Sequence, residues 1–323
     1  VVERCIYGVD LDPLAVELCR LALWVETMDR DLPFSFLDHK IKCGNGLVGA
    51  WFDQFQHYPV MAWAGRDAGD GNHTNGVHFE KDGRTKELAA FVSNKLKSDL
   101  HVFLQGRTLF AEDLQEAAAN VHEEALTVLK RIHDMPVHHS AERARIYRTE
   151  LVGSYAYQRL KAAMDLWCAC WFWPVEALAH APLPTTLLEP QQETVRWTSY
   201  IAAQERFFHW ELEFPDVFTH KGSGFDAVIG NPPWDIAKPN SKEFFSSLDP
   251  LFRSYGKTVA KDNIQAYFQA DRNVEERWLT YNARFKAQSQ FIKHAAFPFG
   301  DPLQLKHGGE AFSITRSPGG NEE

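Results

Sequence analysis

Short apolar runs alternate with helical stripes along this chain. Arg4 to Asp10, "RCIYGVD", is brief, apolar, β-branched and aromatic, the pattern of a buried strand of the parallel type. The next residues, "LDPLAVELCRLALWVET", predict a helix, with Asp12 placed to cap it and Pro13 suited to its first turn. Leu14, Leu18, Leu21 and Val25 recur at one helical face, which predicts that this face is buried. Strand, carboxylate and helix in that order form half of a βαβ unit. "FSFLDHKIKCGNGLVG", Phe34 to Gly49, predicts another strand and a glycine-rich turn.

The texture then changes. Residues 66–76, "RDAGDGNHTNG", are a polar glycine-rich loop, and the pattern from about Thr85 to Trp173 is helical. Leu114, Ala118, Val121, Ala125, Val128 and Ile132 share one face, and Leu160, Met164, Trp167 and Trp171 share another. The block is too long for a βα crossover and reads as a helical insertion into an α/β domain. "PLPTTLLEP" leaves it, "FFHWELEFPDVF" leads back toward the sheet, and "FDAVIG" (Phe225 to Gly230) predicts the next strand. Residues 241–295 are again helical in pattern, with many charges.

Composition narrows the function classes. At 323 residues the chain has room for roughly two domains, and 45% hydrophobic and 24% charged residues are ordinary for a globular protein. It contains no run of about 18 apolar residues and no signal peptide, so the expectation is a cytoplasmic location away from the membrane. Five scattered cysteines suggest neither a disulfide framework nor a zinc site, and Cys168 and Cys170 read as buried thiols. Fourteen histidines form no metal-ligand spacing, and His138-His139 reads as surface. A net charge of −9 argues against a self-sufficient DNA clamp, while leaving room for a local basic patch.

Three places carry candidate chemistry. In open α/β sheets ligands bind beyond the carboxyl ends of strands, so Asp10 is placed to accept from both hydroxyls of a ribose. Its competing role, capping the helix, is already filled by Asp12. In "CGNGL", Asn45 follows a strand and either presents its amide to an adenine edge or belongs to an ordinary turn. In "FDAVIGNPPWD", Pro232 and Pro233 stiffen the backbone after Asn231. The Asn231 side-chain oxygen and the Pro232 carbonyl form two fixed acceptors for the hydrogens of a planar amino group. They would localise the nitrogen lone pair and aim it at an electrophilic methyl group. Trp234 would stack on the base, which must leave its duplex to be reached. A tight loop with a half-buried tryptophan is the plain alternative.

"IYGVDLDPLAVELCRLALW", "CGNGLVG" and "FDAVIGNPPW" occur in an order that resembles the adenine-N6 DNA methyltransferases of the gamma arrangement. The likeness is greatest to the large type IIG restriction-modification and phage-defence enzymes, which have segments similar to "LKAAMDLWCACWFWP", "FHWELEFPDVF" and "PNSKEFFSSLDPLF". The resemblance implies a Rossmann-like α/β methyltransferase sheet, present in part, with a large helical insertion. It divides the chain into a cofactor-side core at 1–60, the insertion at 61–200, and a core with the NPPW loop and a helical segment at 201–323.

It further implies S-adenosyl-L-methionine as cofactor, with Asp10 on its ribose and Leu11 and Asn45 at its adenine. Asn231, Pro232, Pro233 and Trp234 would surround the target base of double-stranded DNA, with no metal. Nuclease or other defence-system subunits are the implied partners. The family's glycine-rich cofactor motif is expected before Val1 and its later strands and target-recognition domain after residue 323, so the sequence reads as an internal piece, one expected to bind the cofactor weakly or not at all. Pro215-Asp216 begins a nuclease-like pattern, but no Asp/Glu-x-Lys follows on a strand. The rivals are a methyltransferase acting on cytosine, RNA or protein glutamine, and an inert binding module.

Overall fold

The computed structural model describes residues 5–27, 37–53, 57–74, 76–105, 110–136, 139–219, 223–230 and 238–295. In chain order these form β1 (Gly8–Asp10), α1 (Pro13–Thr27), β2 (Ile41–Cys43), α2 (Gly83–Phe91), α3 (Lys97–Gln105), α4 (Phe110–Asp134), α5 (Ser140–Ile146), α6 (Tyr155–Phe172), α7 (Gln192–Glu205), α8 (Trp210–Glu213), α9 (Ser241–Ser246), α10 (Lys257–Ala270) and α11 (Arg272–His294). Two compact units divide the chain. One comprises Val1–Tyr58, Gly106–Ala169 and Leu187–Ile229; the other comprises Pro59–Gln105, Cys170–Thr186 and Gly230–Glu323.

In the first unit β1 and β2 pair in parallel, with Gly8 opposite Ile41 and Asp10 opposite Cys43. Parallel pairing requires a crossover, and α1 supplies it. Asp12 starts the helix as its sequence predicts, accepting the Leu14 N–H at 2.9 Å. The buried face differs from the predicted one. Leu14, Leu18, Leu21 and Val25 are 44–64% exposed, and Val16 is buried against Leu37 and Ile41 with Leu23 and Trp24 beside it. Arg20 explains the rotation: it lies among these inward residues and its Nε donates to the Ile41 carbonyl at 3.0 Å. A charged residue in the middle of the inward stripe leaves the outer leucines as the more regular apolar pattern.

The stripe of α4 is buried at Ala118, Val121, Ala125 and Ile132, with Leu129 buried where Val128 is half-buried. On α6, Leu160, Met164, Trp167 and Trp171 are all buried, and so are Cys168 and Cys170. Residues 225–230, predicted as a strand, are not one. Among the described residues β1 pairs only with β2, so this segment has no ladder to join. Its Phe225 packs edge-on against Tyr7 at 5.4 Å, while Val228 and Ile229 are 83% and 97% exposed.

In the second unit the polar loop at 66–76 is held from inside. Asp70, fully buried, accepts the Thr85 hydroxyl at 2.5 Å and the Arg84 N–H at 2.6 Å. Buried Arg66 donates to the Cys170 and Trp173 carbonyls. The helices α9 to α11 close over an aromatic core of Phe245, Phe252 and Phe268 with Val274. Among the described residues no helix is long and apolar enough to cross a membrane.

Candidate active site

The carboxyl ends of β1 and β2 bring two of the sequence-predicted residues side by side. The Asp10 carbonyl accepts the Gly44 N–H at 2.9 Å, so Asp10 lies next to the turn that carries Asn45. One Asp10 carboxylate oxygen accepts the Asp12 N–H at 2.7 Å, and the side chain is exposed at the strand end. Its other oxygen has no partner among the described residues. Leu11 follows, 48% exposed. The Asn45 side-chain oxygen accepts the Leu47 N–H at 3.2 Å, closing an Asx turn, and the side chain is half-buried. The turn of the sequence reading is formed. Asn231, Pro232, Pro233 and Trp234 lie outside the described residues.

A segment that the sequence shows only as a path back to the sheet holds this turn in place. Asn45 forms an isolated parallel bridge with Phe207. The Phe208 N–H donates to the Val48 carbonyl at 2.9 Å, and the Trp210 indole donates to the Gly46 carbonyl at 3.0 Å. His209, fully buried, accepts the Ala50 N–H on Nδ1 at 3.0 Å, so its Nε2 carries the proton and donates to Asp165 at 3.0 Å. Arg206, in the left-handed region at φ 53°, reaches the Leu11 carbonyl with its guanidinium. The glycines of the turn serve this packing. A Cβ at Gly44 would stand 2.5 Å from the Phe208 ring, and one at Gly49 only 1.8 Å from the Phe208 carbonyl oxygen. Gly49→Ala is therefore expected to lower stability by about 1–3 kcal/mol or more. Gly83→Ala, whose Cβ would meet nothing closer than 3.7 Å, should lose little in the same thermal melts. Equal melting of the two variants would refute the clamp.

Beneath the turn lies a buried charged layer. Lys40 and Lys42, 1% and 8% exposed, flank Ile41 on the same side of the chain. Lys42 donates to the Glu213 carboxylate at 2.8 Å and to the Glu213 carbonyl at 2.6 Å, and the Tyr157 hydroxyl donates to the same carboxylate at 3.4 Å. Lys40 pairs with Asp216 at 2.9 Å, and Tyr7 donates to the same Asp216 oxygen at 2.5 Å. Burial works to raise the Glu213 carboxyl, but the Lys42 ammonium, with smaller help from Lys161 and His209, holds it below the ordinary range. Burial likewise opposes Asp216, and Lys40 with Tyr7 holds it down. Burial, aided by its bond to Asp216, pushes the Tyr7 phenol well up. Asp216 is thus the anchor of a buried ion pair. The signal for this layer was the short segment Phe207–Phe218, whose acids had no visible partners nearby in sequence.

The chemistry available at the strand ends is recognition of a polar, flat ligand: a carboxylate oxygen for a diol, an exposed aliphatic side chain for a ring face, and a side-chain amide in the neighbouring turn. The residues present fit the nucleoside half of S-adenosylmethionine.

Residues 108–272 match the family described as Eco57I restriction-modification methylase. That range includes Asn231 to Trp234 and leaves out Asp10 and Asn45. The chain is also 23% identical over 261 residues to a Methanocaldococcus jannaschii protein named as a type II restriction enzyme and methyltransferase. The aligned part is 76% of this chain and 19% of that relative, so the chain spans about a fifth of its length. No solved structure matches the chain. With just over half of its residues inside the matched range, the chain belongs to the Eco57I restriction-modification methylase family.

Proposed function

We propose that the chain is part of a DNA methyltransferase that moves a methyl group from S-adenosylmethionine to the exocyclic amino group of an adenine flipped out of double-stranded DNA. The observation that carries the reading is the placement of Asp10 at the end of β1, hydrogen-bonded to the turn after β2 that holds Asn45, in a chain whose family match covers the Asn-Pro-Pro-Trp tetrad. In this reading β1, α1 and β2 belong to a Rossmann-like sheet, with the helical residues 61–200 inserted into it.

Asp10 holds the ribose hydroxyls, and Leu11 and Asn45 hold the adenine of the cofactor. When bound, the cofactor supplies a methyl group on a positively charged sulfur. Asn231 and the Pro232 carbonyl accept the two amino hydrogens of the target base, and Pro233 keeps that loop stiff. Trp234 stacks on the base. The amino nitrogen forms the new bond to carbon, the carbon–sulfur bond breaks, and the proton released from nitrogen passes to solvent. Nuclease or other defence-system subunits are the partners in this reading.

The test is transfer of labelled methyl groups from S-adenosylmethionine to duplex DNA, single-stranded RNA and protein in parallel, followed by digestion to nucleosides. N6-methyladenine in the DNA arm is expected; label in cytosine, RNA or protein instead would overturn the adenine assignment. In the same protein Asp10→Ala should weaken S-adenosylmethionine binding by about 10- to 100-fold, the worth of a charged hydrogen-bond pair. Calorimetry reads this directly, and unchanged affinity would remove Asp10 from the site.

A further inference from the structure

The second unit contains a pocket of about 370 Å³ that includes no residue of the candidate active site. Its size lies in the range of small-ligand sites. The charged groups of its lining are three lysines, Lys242, Lys257 and Lys261, together with the titratable His73; no carboxylate lines it. All three lysines are exposed on its rim. In a chain of net charge −9 this local sign is not a spill-over from a basic composition.

The lysines are placed at a cost to the helix that carries two of them. Gly256 caps α10, Lys257 is its first residue, and its first turn holds no acidic residue. Lys257 and Lys261 are four apart and repel one another, and Lys257 stands at the positive end of the helix. Among the described residues neither Lys242 nor Lys257 has an ion-pair partner. An anion in the pocket would relieve this arrangement.

Beside the lysines the wall is aromatic. Tyr255 and Trp278 are half-buried, and Phe252 and Phe268 are buried beneath. His73, also in the lining, is held in place. The fully buried Glu275 carboxylate accepts His73 Nε2 at 2.7 Å and the Val77, His78 and Phe79 N–H groups at 3.0, 2.8 and 3.3 Å. Cations interleaved with half-exposed rings in a rigid concavity match a ligand that is anionic at one end and flat at the other.

We propose that this pocket binds a nucleotide unit, its phosphate on Lys242, Lys257 and Lys261 and its base or sugar against Tyr255 and Trp278. The nucleotide has two sources with this chemistry: a single-stranded stretch of DNA, or a free nucleoside triphosphate. The inference goes beyond the methyl-transfer reading and stands or falls separately from it.

The experiment is fluorescence anisotropy with a labelled oligothymidylate of about 12 nucleotides, a length within known single-strand site sizes. It is run over a salt series on the full chain and on Lys242→Ala/Lys257→Ala/Lys261→Ala. The triple variant is expected to lose tenfold or more in affinity and to flatten the salt slope by about 2, as three lost phosphate contacts require. Lys257→Glu should also weaken binding while melting no lower than the parent, because an acid suits the first residue of a helix. If ATP binds or displaces the oligonucleotide, while inorganic phosphate does not, the free nucleotide is the ligand; if only the oligonucleotide binds, the strand is. Equal binding by the parent and the triple variant, or binding of neither oligonucleotide nor ATP to the parent, overturns the proposal.

Discussion

Asn231→Ala is expected to reduce methyl transfer to duplex DNA by about 100- to 1,000-fold, the scale seen when one preorganised hydrogen-bonding group is removed from a site of developing charge. The amino group of adenine is a poor nucleophile because its lone pair is shared with the ring. In the proposed mechanism the Asn231 oxygen takes one of the two amino hydrogens, and alanine removes that acceptor while the stiff Pro232-Pro233 backbone stays. Binding should therefore persist while turnover falls. Single-turnover rates at saturating cofactor and DNA would separate the two, with DNA affinity read by anisotropy. A variant that keeps its rate would take Asn231 out of the chemistry. A variant that loses DNA binding in proportion would make it a docking residue.

The largest effect on folding is expected at Lys42. Lys42→Met leaves the Glu213 carboxylate buried without its counter-charge, which costs about 3–5 kcal/mol when one partner of a buried pair is removed. Lys42→Met/Glu213→Gln should recover most of that loss, because the desolvated charge goes with it. The pH dependence distinguishes this from simple loss of packing. In the parent the folded Glu213 carboxyl is held below its ordinary 4.5, so the pair's contribution is full above 4.5 and is lost as pH falls through the lower folded value. In Lys42→Met, burial becomes the dominant influence on that carboxyl, opposed only by the weaker effects of Lys161 and His209, and pushes it up. The deficit should then be greatest at neutral pH and narrow as pH falls toward 4.5. Urea midpoints at pH 7 and pH 5 supply the comparison; a deficit that does not change with pH, or a double variant no better than the single, would contradict the pair.

Much of the local structure was legible because period reports element type. The turn after β2, the helix opening at Asp12-Pro13, and the buried stripe of α6 all follow from residue order. What periodicity could not decide is which way a helix is turned once a polar residue has a buried partner. The inward face of α1 includes Arg20, bound to a carbonyl of β2, and so was less regular than the outward leucines. The predicted strand at 225–230 was an apolar run of the right length, yet strand formation depends on a neighbour elsewhere in the chain. The same non-locality hid the charged layer. Lys42 and Glu213 are 171 residues apart, and Lys40 and Asp216 are 176 apart. In sequence each of these is an ordinary polar residue of a strand or turn. Asp10 and Asn45 stand out as candidates because strand ends and turns have their own local signatures, while Leu11 is named only through the family resemblance.

The segment from Arg206 to Asp216 binds in turn the Leu11 carbonyl, the Asn45 turn, Asp165 of α6, Lys42 and Lys40. For lineages descending from this sequence, that makes these eleven residues a shared inheritance. Few of them can drift alone, since each change asks for an answering change in a different stretch of the gene. The outer leucines of α1 carry no such obligation within the described residues, so recombination that splits the gene between α1 and α8 would be punished at the clamp long before it was felt on that helix.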